Sequence, residues 1–321
     1  MSFSSTGHKT VNTRPVCKNI ISVLSVLDEL VSVFPNTTLY TVLGNHDPYP
    51  ANQMPYDTDN TAYYKGILEK SNWDSVLGVN ESRHFHNGGY YSATISEKLR
   101  LIGLNTNLYY DQDRLTKDLP DPAQQIDFLD KQLQEARKHN NMVYIIAHVP
   151  PGVFELGSGL TWFYPKYNKQ YLEKLEEFAD IISLQLYGHE HTDSFRVQFD
   201  AEGKPISMML LAPAVTPWKS TLPGVGANNP SIRLTTGKMG WPRTMCSTGD
   251  DWQKEYDTSD VYALDELRPA KLHELARAFT DRSNKLFQHY LQYNSVLWAG
   301  NTECNETCHL HHLCAITQLR L

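Results

Sequence analysis

The stretch Leu184–Phe195, LQLYGHEHTDSF, places two histidines one residue apart, directly after an apolar run that ends at Gly188. Short apolar runs bounded by glycine are typical of buried strands. If the alternation of side chains continues past the strand, Glu190 points away from His189 and His191, and the two imidazole rings share one side. The stretch therefore predicts a strand that delivers two histidines to the edge of a sheet.

Two further loops follow the same pattern. LGNHD brings Asn45 and His46 after the apolar run TTLYTVLG, and IIAHVPPG brings His148 at the end of the run MVYIIAH. Open α/β sheets bind their ligands at the carboxyl ends of the strands. We therefore expect the three histidine loops to meet at one edge of the sheet.

Strand-like and helix-like segments alternate along the chain. Apolar spacing predicts helices in CKNIISVLSVLDELVSVF, PAQQIDFLDKQLQEARKHN and YNKQYLEKLEEFADII, and strands in TTLYTVLG, YYSATIS, LRLIGLNT, MVYIIAH and LQLYGH. The segment SFRVQFDAEGKPISMMLLAP predicts a hairpin that makes the sheet partly antiparallel. Residues 237–250 have no period and are predicted as a loop, and helical spacing returns from Leu267. This order indicates an α/β fold whose sheet is covered on both faces.

The composition limits the classes of partner. The chain has 321 residues, 40% of them hydrophobic, and a formal net charge of −7, which argues against a nucleic-acid polymer as partner. No stretch has the pattern of a signal peptide or a membrane helix. Sequons at Asn36, Asn80 and Asn305 and the terminal cluster CNETCHLHHLC nevertheless point outside the cytosol.

A divalent metal would explain why polar side chains converge at three strand ends. Neutral imidazole nitrogens suit zinc, and the amide oxygen of Asn45 suits a harder ion or a mixed site. The alternative is that these histidines are unrelated side chains at strand ends, as any single histidine usually is. Three loops with one shared pattern favour the metal site.

The motifs GNHD, AHVPPG and GHEHTDSF, in this order and spacing, resemble those of the metallophosphoesterases. The segments LNTNLYY, DPAQQIDFLDKQL, APAVTPWKSTLPG and NNPSIR and the terminal cysteine cluster are similar to the acid sphingomyelinase-like phosphodiesterases in particular. The resemblance runs from about Val31 to Cys314. It implies a calcineurin-like sandwich of two mixed β-sheets flanked by helices, with two zinc ions at the sheet edge and a C-terminal helical, cysteine-containing region.

The resemblance also implies roles for individual residues. Asn45, His148 and His189 would bind one metal and His191 the other. His46 would be the catalytic histidine near the leaving group, and Asp47 would orient its ring. Cys304 and Cys308 would form a disulfide as in the family, with no evident partner for Cys314, Cys17 or Cys246.

The implied function is a metal-dependent phosphodiesterase that cleaves phosphodiester or pyrophosphate bonds of small molecules. Its substrates would be nucleotides or sphingomyelin-type phospholipid head groups, and a water activated by two zinc ions would attack phosphorus. The implied protein is a monomer, secreted or lysosomal. The residues that bind substrate are not assigned by any motif, although Asn107, Tyr109 and Trp218 lie in loops that could line the pocket.

The chain departs from the family pattern at the Asp-x-His and Gly-Asp motifs, which do not occur before Gly44. We therefore expect a catalytic domain at 1–236 that lacks its first strands, an irregular connection at 237–266 and a helical region at 267–321. Asn45, His148, His189 and His191 bring no negative charge, so a pair of cations would repel strongly. At most one metal and little hydrolase activity are expected, and the alternative function is a catalytically impaired chain that acts at most as a binding protein.

Three smaller alternatives remain open in the sequence. Carboxylates for the metal could come from Asp111, Asp113 or Asp118. The terminal cluster could form a second zinc site instead of a disulfide, with ligands from Cys304, Cys308, His309, His312 and Cys314. The segment HFHNGGYY, with His84 and His86, is predicted as a turn into a strand rather than a ligand pair.

Overall fold

The computed structural model describes residues 27–56, 61–70, 73–157, 159–216, 218–219, 227–234, 243–248, 251–298 and 303–320. The helices are α1 (27–33), α2 (Thr61–Lys70), α3 (Trp73–Gly88), α4 (Gln125–Lys138), α5 (Pro165–Glu177), α6 (Thr258–Tyr262), α7 (Pro269–Ala278), α8 (Lys285–Asn294) and α9 (Glu306–Thr317). The strands are β1 (Tyr91–Ser96), β2 (Leu99–Gly103), β3 (Met142–Ile146), β4 (Ile182–Tyr187), β5 (Ser194–Phe199), β6 (Pro205–Leu211), β7 (Trp218–Lys219), β8 (Ala227–Asn228), β9 (Ser231–Leu234), β10 (Arg243–Thr248) and β11 (Asp251–Asp257).

The main sheet has six strands in the order β1-β2-β3-β4-β6-β5. The four central strands β2, β3, β4 and β6 run parallel, and β1 and β5 pair antiparallel at the two edges. The predicted α/β class and the partly antiparallel hairpin are confirmed. Because the central strands are parallel, the loops after β2, β3 and β4 leave the sheet at the same edge.

Side chains of the central strands alternate between two hydrophobic cores. On β6, Met209 and Leu211 join the core beneath α3, α4 and α5, whereas Met208 and Leu210 join the core beneath α7 and α8. This period of two is what a strand buried on both faces requires. The sheet is therefore covered on both sides, as its nearly continuous apolar strands predict.

A second sheet of three strands has the order β11-β10-β9. The prediction of a loop over residues 237–250 was wrong for Arg243–Thr248, which form the central strand β10. The segment pairs with β11 on one side and with β9 on the other. This pairing, and not a regular spacing of apolar residues, holds it as a strand. Ser231 on β9 also donates its hydroxyl to the Met245 carbonyl at 2.7 Å, which ties the two strands together.

The prediction of a strand over TTLYTVLG was also wrong, because residues 37–44 adopt no strand. Side chains satisfy carbonyls that a neighbouring strand would otherwise satisfy. Tyr91 donates its hydroxyl to the Thr41 carbonyl at 2.9 Å, and Asn107 donates its amide to the Leu43 carbonyl at 2.7 Å. The segment is held in place by side chains and not by a β-ladder.

Two helical predictions have mixed outcomes. The helix predicted over CKNIISVLSVLDELVSVF is confirmed where it is described, at 27–33, and its earlier residues, Cys17 among them, lie outside the described part. His84 and His86 lie in the last turns of α3 and not in a turn, because Trp73, Leu77 and Phe85 bury one face of a continuous helix. Within the described residues, no helix is long and apolar enough to span a membrane.

Candidate metal centre

Three side chains from separate loops meet beyond the carboxyl ends of β3 and β4. Asn45 Oδ1 lies 2.9 Å from His148 Nε2 and 3.3 Å from His189 Nδ1, and the two ring nitrogens lie 3.3 Å apart. The predicted convergence of the GNHD, AHVPPG and GHEH loops is therefore present in the fold. We call these three atoms the ligand triangle.

The ligand triangle has the dimensions of one face of a metal coordination shell. Ligands about 2.0–2.1 Å from a tetrahedral zinc ion lie about 3.3 Å from one another, close to the observed edges. Hydrogen bonds can satisfy at most two of the three edges, since an amide oxygen carries no proton. His189 Nε2 is also buried without a hydrogen-bond partner. The residues present therefore fit a bound cation better than a closed hydrogen-bond network.

The loop that carries Asn45 is held on both sides. The Gly44 amide donates to Asp47 Oδ2 at 2.7 Å, so Asp47 closes the turn. Asn45 donates its side-chain amide to Asn52 Oδ1 at 2.8 Å, which turns the Asn45 oxygen toward the histidines. Asn107, from the loop after β2, anchors the preceding carbonyl of Leu43. Amide side chains thus fix the position of a potential ligand oxygen.

Burial keeps the histidines of the ligand triangle neutral. Burial, with the charges of His191 and His46, lowers the pKa of His148 to about 4. Burial, with the charges of His148, His191 and His46, lowers the pKa of His189 well below its ordinary value. Neutral imidazoles expose the lone pairs that a cation needs.

The charges of His46 and His191 affect the pKa values of His148 and His189, but neither residue is part of the ligand triangle. In the described parts of the chain, one group of three or more histidine, cysteine or carboxylate residues has ligand atoms that all lie within 4.8 Å of one another, and it is Cys304, Cys308 and His312. His191 therefore completes no such triad with His148 and His189. The separation agrees with the predicted assignment of His191 to a different cation, which stays a prediction.

No carboxylate of the described residues joins His148 and His189 either. Asp113, one of the candidates after LNTNLYY, instead accepts the backbone amides of Met54 and Leu115. Asn107 and Tyr109 are fully buried and pack inside the protein, so they do not line a substrate pocket. Trp218 lies in β7, and its side chain is outside what the structure describes.

The GHEH turn is strained at both histidines. His189 has φ 69° and His191 has φ 62°, a left-handed conformation that residues other than glycine rarely adopt. Glu190 between them is 1% exposed, whereas both histidines are partly exposed. The two positive φ angles show a tight turn here, rather than a continued strand.

A buried polar network beneath this turn is a feature that the sequence analysis missed. Glu190 accepts hydrogen bonds from Arg196 Nη2 and Trp162 Nε1, and Arg196 also donates to the carbonyls of Pro151 and Val153. The signal available in the sequence was an arginine flanked by apolar residues in SFRVQF, since such a residue needs a buried partner.

Glu155 extends the network to α8. It accepts hydrogen bonds from Thr192 Oγ1 at 2.7 Å and Asn294 Nδ2 at 2.9 Å. Burial raises the pKa of Glu190 well above its usual range, whereas the neighbouring Glu190 and the charges of His312 and Arg196 lower the pKa of Glu155 despite its burial. The two carboxyl groups and the Arg196 cation therefore form one coupled, buried network.

The terminal cysteine cluster forms a disulfide. Cys304 and Cys308 are bonded, as the resemblance implied, so their sulfur atoms are not thiolate ligands for a second zinc ion. His309 Nε2 contacts the Phe279 carbonyl, and His312 Nδ1 contacts the Tyr290 hydroxyl. Cys246 is buried, Cys314 is exposed, and both are free thiols.

The fold and the site together define a calcineurin-like metallophosphoesterase, a class of enzyme that uses divalent metals. Residues 20–193 match the calcineurin-like phosphoesterase family, and residues 246–321 match the acid sphingomyelin phosphodiesterase C-terminal region. The first match contains the whole ligand triangle and the second contains the disulfide.

The chain belongs to the acid sphingomyelinase-like phosphodiesterase family. It is 37% identical over 320 residues to acid sphingomyelinase-like phosphodiesterase 3b of Homo sapiens, covering 94% of this chain and 69% of that protein. It is 33% identical over 316 residues to a cyclic GMP-AMP phosphodiesterase of Homo sapiens, covering 94% and 69%. It is 30% identical over 329 residues to sphingomyelinase phosphodiesterase C of Dictyostelium discoideum, covering 97% and 72%.

Proposed function

We propose that this chain hydrolyses phosphodiester or pyrophosphate bonds of small molecules, either nucleotides or sphingomyelin-type phospholipid head groups. The names of its relatives support both substrate classes, since one is a cyclic GMP-AMP phosphodiesterase and others are sphingomyelinase-like. The observation that carries the proposal is the ligand triangle, whose three edges measure 2.9–3.3 Å.

Asn45, His148 and His189 would hold one divalent cation, with zinc as the candidate because two of the three ligands are imidazole nitrogens. A divalent cation at this position supplies charge neutralisation for phosphoryl oxygens and makes a water molecule more acidic. His191, beside the triangle, would hold a second cation or the substrate phosphate. We expect one cation per chain, because no carboxylate of the described residues is present to offset the repulsion between two.

His46 is exposed, next to the ligand Asn45 in sequence. Its ring can reach a substrate at the mouth of the site and give a proton to the departing oxygen, as a general acid does. Asp47 is its neighbour, and the charge of His46 lowers the Asp47 pKa, while burial raises that pKa more strongly. This charge interaction supports the proposed orienting role of Asp47, whose Oδ2 also accepts the Gly44 amide.

The alternative function is a binding protein that holds a cation or a phosphodiester without cleaving it. The lack of a carboxylate at the ligand triangle, among the residues described, is the observation that favours it. Metal content and activity measured on one preparation separate the two functions.

The decisive experiment measures zinc per chain by elemental analysis and hydrolysis of bis(p-nitrophenyl) phosphate with added zinc. We expect at most one weakly held cation per chain and low but measurable hydrolysis. His148→Ala should lower both zinc affinity and activity by about 100-fold or more, since even partners outside the ligand shell are worth 10–100-fold. His84→Ala is the matched control, because His84 is an exposed histidine on α3.

Zinc binding without hydrolysis would support the binding protein. Hydrolysis that survives His148→Ala unchanged in a folded protein would contradict the proposed site.

We also propose that the chain is a zinc-containing glycoprotein of the secretory or lysosomal compartment and acts as a monomer. Its Cys304–Cys308 disulfide and the exposed sequon residues Asn36 and Asn305 support this compartment. Asn305 caps α9 through its Oδ1, which accepts the Cys308 amide, so its Nδ2 is left for a glycan. The sequon at Asn80 differs, since it lies within α3.

A further inference from the structure

A buried ion pair between Arg196 and Glu190 helps to join the two loops that carry the histidines of the ligand triangle. Arg196 binds the loop after His148 through the carbonyls of Pro151 and Val153, and it binds Glu190 in the GHEH turn. Both Arg196 and Glu190 are 1% exposed. The relative position of His148 and His189 therefore depends on this link as well as on the sheet.

Glu190 also reaches His189 by a second path. Its Oε1 accepts the indole N–H of Trp162, and the Trp162 ring packs edge-on against the His189 ring, with 4.4 Å between centroids and 81° between planes. Trp162 is 9% exposed and is packed from other sides by Phe154 and Tyr110. A ring held in this way limits how His189 can rotate about its side-chain bonds.

His189 depends on ring packing because its second ring nitrogen, Nε2, has no hydrogen-bond partner among the described residues. Within the part of the chain that the structure describes, the hydrogen-bond contacts of its side chain are those with Asn45 and His148 in the ligand triangle. In most metal sites the second nitrogen of a ligand histidine donates to a carboxylate or a carbonyl, which fixes the ring. Here packing against Trp162, beside a second edge-on contact with Tyr110 at 5.0 Å between centroids, takes the place of that hydrogen bond.

We propose that Trp162 and Glu190 are positioning residues for the metal ligand His189: Glu190 holds the indole through its N–H, and the indole holds the imidazole. The inference rests on the proposed function, because it assumes that the ligand triangle binds a cation. Neither residue touches the cation or the substrate. Their contribution is to keep the His189 nitrogen in the ligand triangle before the cation arrives, which raises affinity.

The test measures the affinity of the purified chain for Zn²⁺ by competition with a chromogenic chelator, beside the thermal unfolding midpoint. Trp162→Phe keeps an aromatic ring but loses the N–H, and Glu190→Ala removes the acceptor. Each should weaken Zn²⁺ binding by about 10-fold or more. Glu190→Gln keeps an acceptor oxygen for the indole and should restore affinity to within about 3-fold of the original chain.

Leu275→Ala is the control for a general loss of stability. Leu275 is buried on α7 in the other hydrophobic core, so the change should lower the unfolding midpoint and leave Zn²⁺ affinity unchanged. Substitution of Co²⁺ for Zn²⁺ adds a spectroscopic measurement, since the visible bands of Co²⁺ should shift in Trp162→Phe and not in Leu275→Ala.

The outcomes separate the two proposals. If the original chain binds no Zn²⁺ or Co²⁺, the proposed function fails. If the original chain binds Zn²⁺ and Trp162→Phe binds it equally well, the proposed function stands and the positioning role is refuted. Equal losses in Trp162→Phe and Leu275→Ala would also overturn it, because affinity would then follow stability alone.

Discussion

Asp113 illustrates how a single buried side chain can make stability depend on pH. It is fully buried, and its two oxygens accept the backbone amides of Met54 and Leu115, each at 3.1 Å. Burial raises its pKa to about 7, against the ordinary 3.8, and these hydrogen bonds reduce the rise. The folded chain therefore keeps a proton on Asp113 at pH values where the unfolded chain has lost it.

The sign of the pH dependence follows from that difference. Between about pH 3.8 and 7 the folded state binds more protons than the unfolded state, so stability falls as pH rises through this window. Asp113→Asn cannot ionise. We compare the unfolding free energy of Asp113→Asn with that of the original chain at each pH. Between pH 4 and pH 7.5 this difference should shift in favour of the variant by on the order of 2–4 kcal/mol.

Urea unfolding at a series of pH values measures this difference. The substitution also changes hydrogen bonds, and that effect should be the same at every pH. The part of the difference that varies with pH therefore reports the ionisation of Asp113. A difference between the two proteins that stays constant from pH 4 to pH 7.5 would contradict the raised pKa of Asp113.

At the scale of secondary structure, one carboxylate attaches the small sheet to the GHEH turn. Asp193 follows the GHEH turn and precedes β5. It accepts from Arg233 on β9, Thr244 on β10 and Tyr256 on β11, so each strand of the small sheet contributes one partner. Asp193 therefore explains why residues without an apolar period form a strand at β10.

We expect Asp193→Asn to cost about 3–5 kcal/mol of unfolding free energy, because it leaves the cation of Arg233, whose side chain is 9% exposed, without its counter-charge. Chemical denaturation measures the loss. Arg268→Gln is the matched control: it breaks the exposed ion pair with Glu266 and should cost at most about 1 kcal/mol. Similar losses in the two variants would mean that Asp193 does not anchor the small sheet.

At the scale of the whole molecule, the C-terminal helices cover the second face of the main sheet. α7 and α9 lie against β5, and residues of α7, α8 and α9 form the second core with Phe195, Val197 and Leu210. The Cys304–Cys308 disulfide lies at the start of α9. It fixes the start of α9, which is distant in sequence from the residues of the ligand triangle.

Removing the disulfide should affect stability and leave the metal centre unchanged. The bond joins residues only 4 apart, so the loop-entropy relation gives a modest stabilisation of about 2 kcal/mol. The double variant Cys304→Ser, Cys308→Ser should lose about that amount in thermal unfolding. Its Zn²⁺ affinity should equal that of the original chain. Cys314→Ser, which removes an exposed free thiol, is the control and should change neither quantity.

Much of the site was predictable because its signals are local. A short apolar run that ends in glycine or alanine before a histidine predicts where that histidine leaves the sheet, and this held for His148 and His189. It failed for TTLYTVLG, which has strand composition but forms no strand, because a strand also needs a neighbour to pair with. Asn45 lies at the predicted edge of the sheet, although the strand predicted to precede it did not form.

Periodicity and chain order were enough to predict the α/β class, the two-sided burial of the central strands and the set of side chains that reach one edge of the sheet. Which atoms meet became visible only in the folded chain. The orientation of the Asn45 amide depends on Asn52, the strand at β10 depends on Asp193, and the link between the histidine loops depends on Glu190 and Arg196. Each is a contact between groups whose partners are not specified by local spacing, and the free energy of such contacts exists only once the chain has folded.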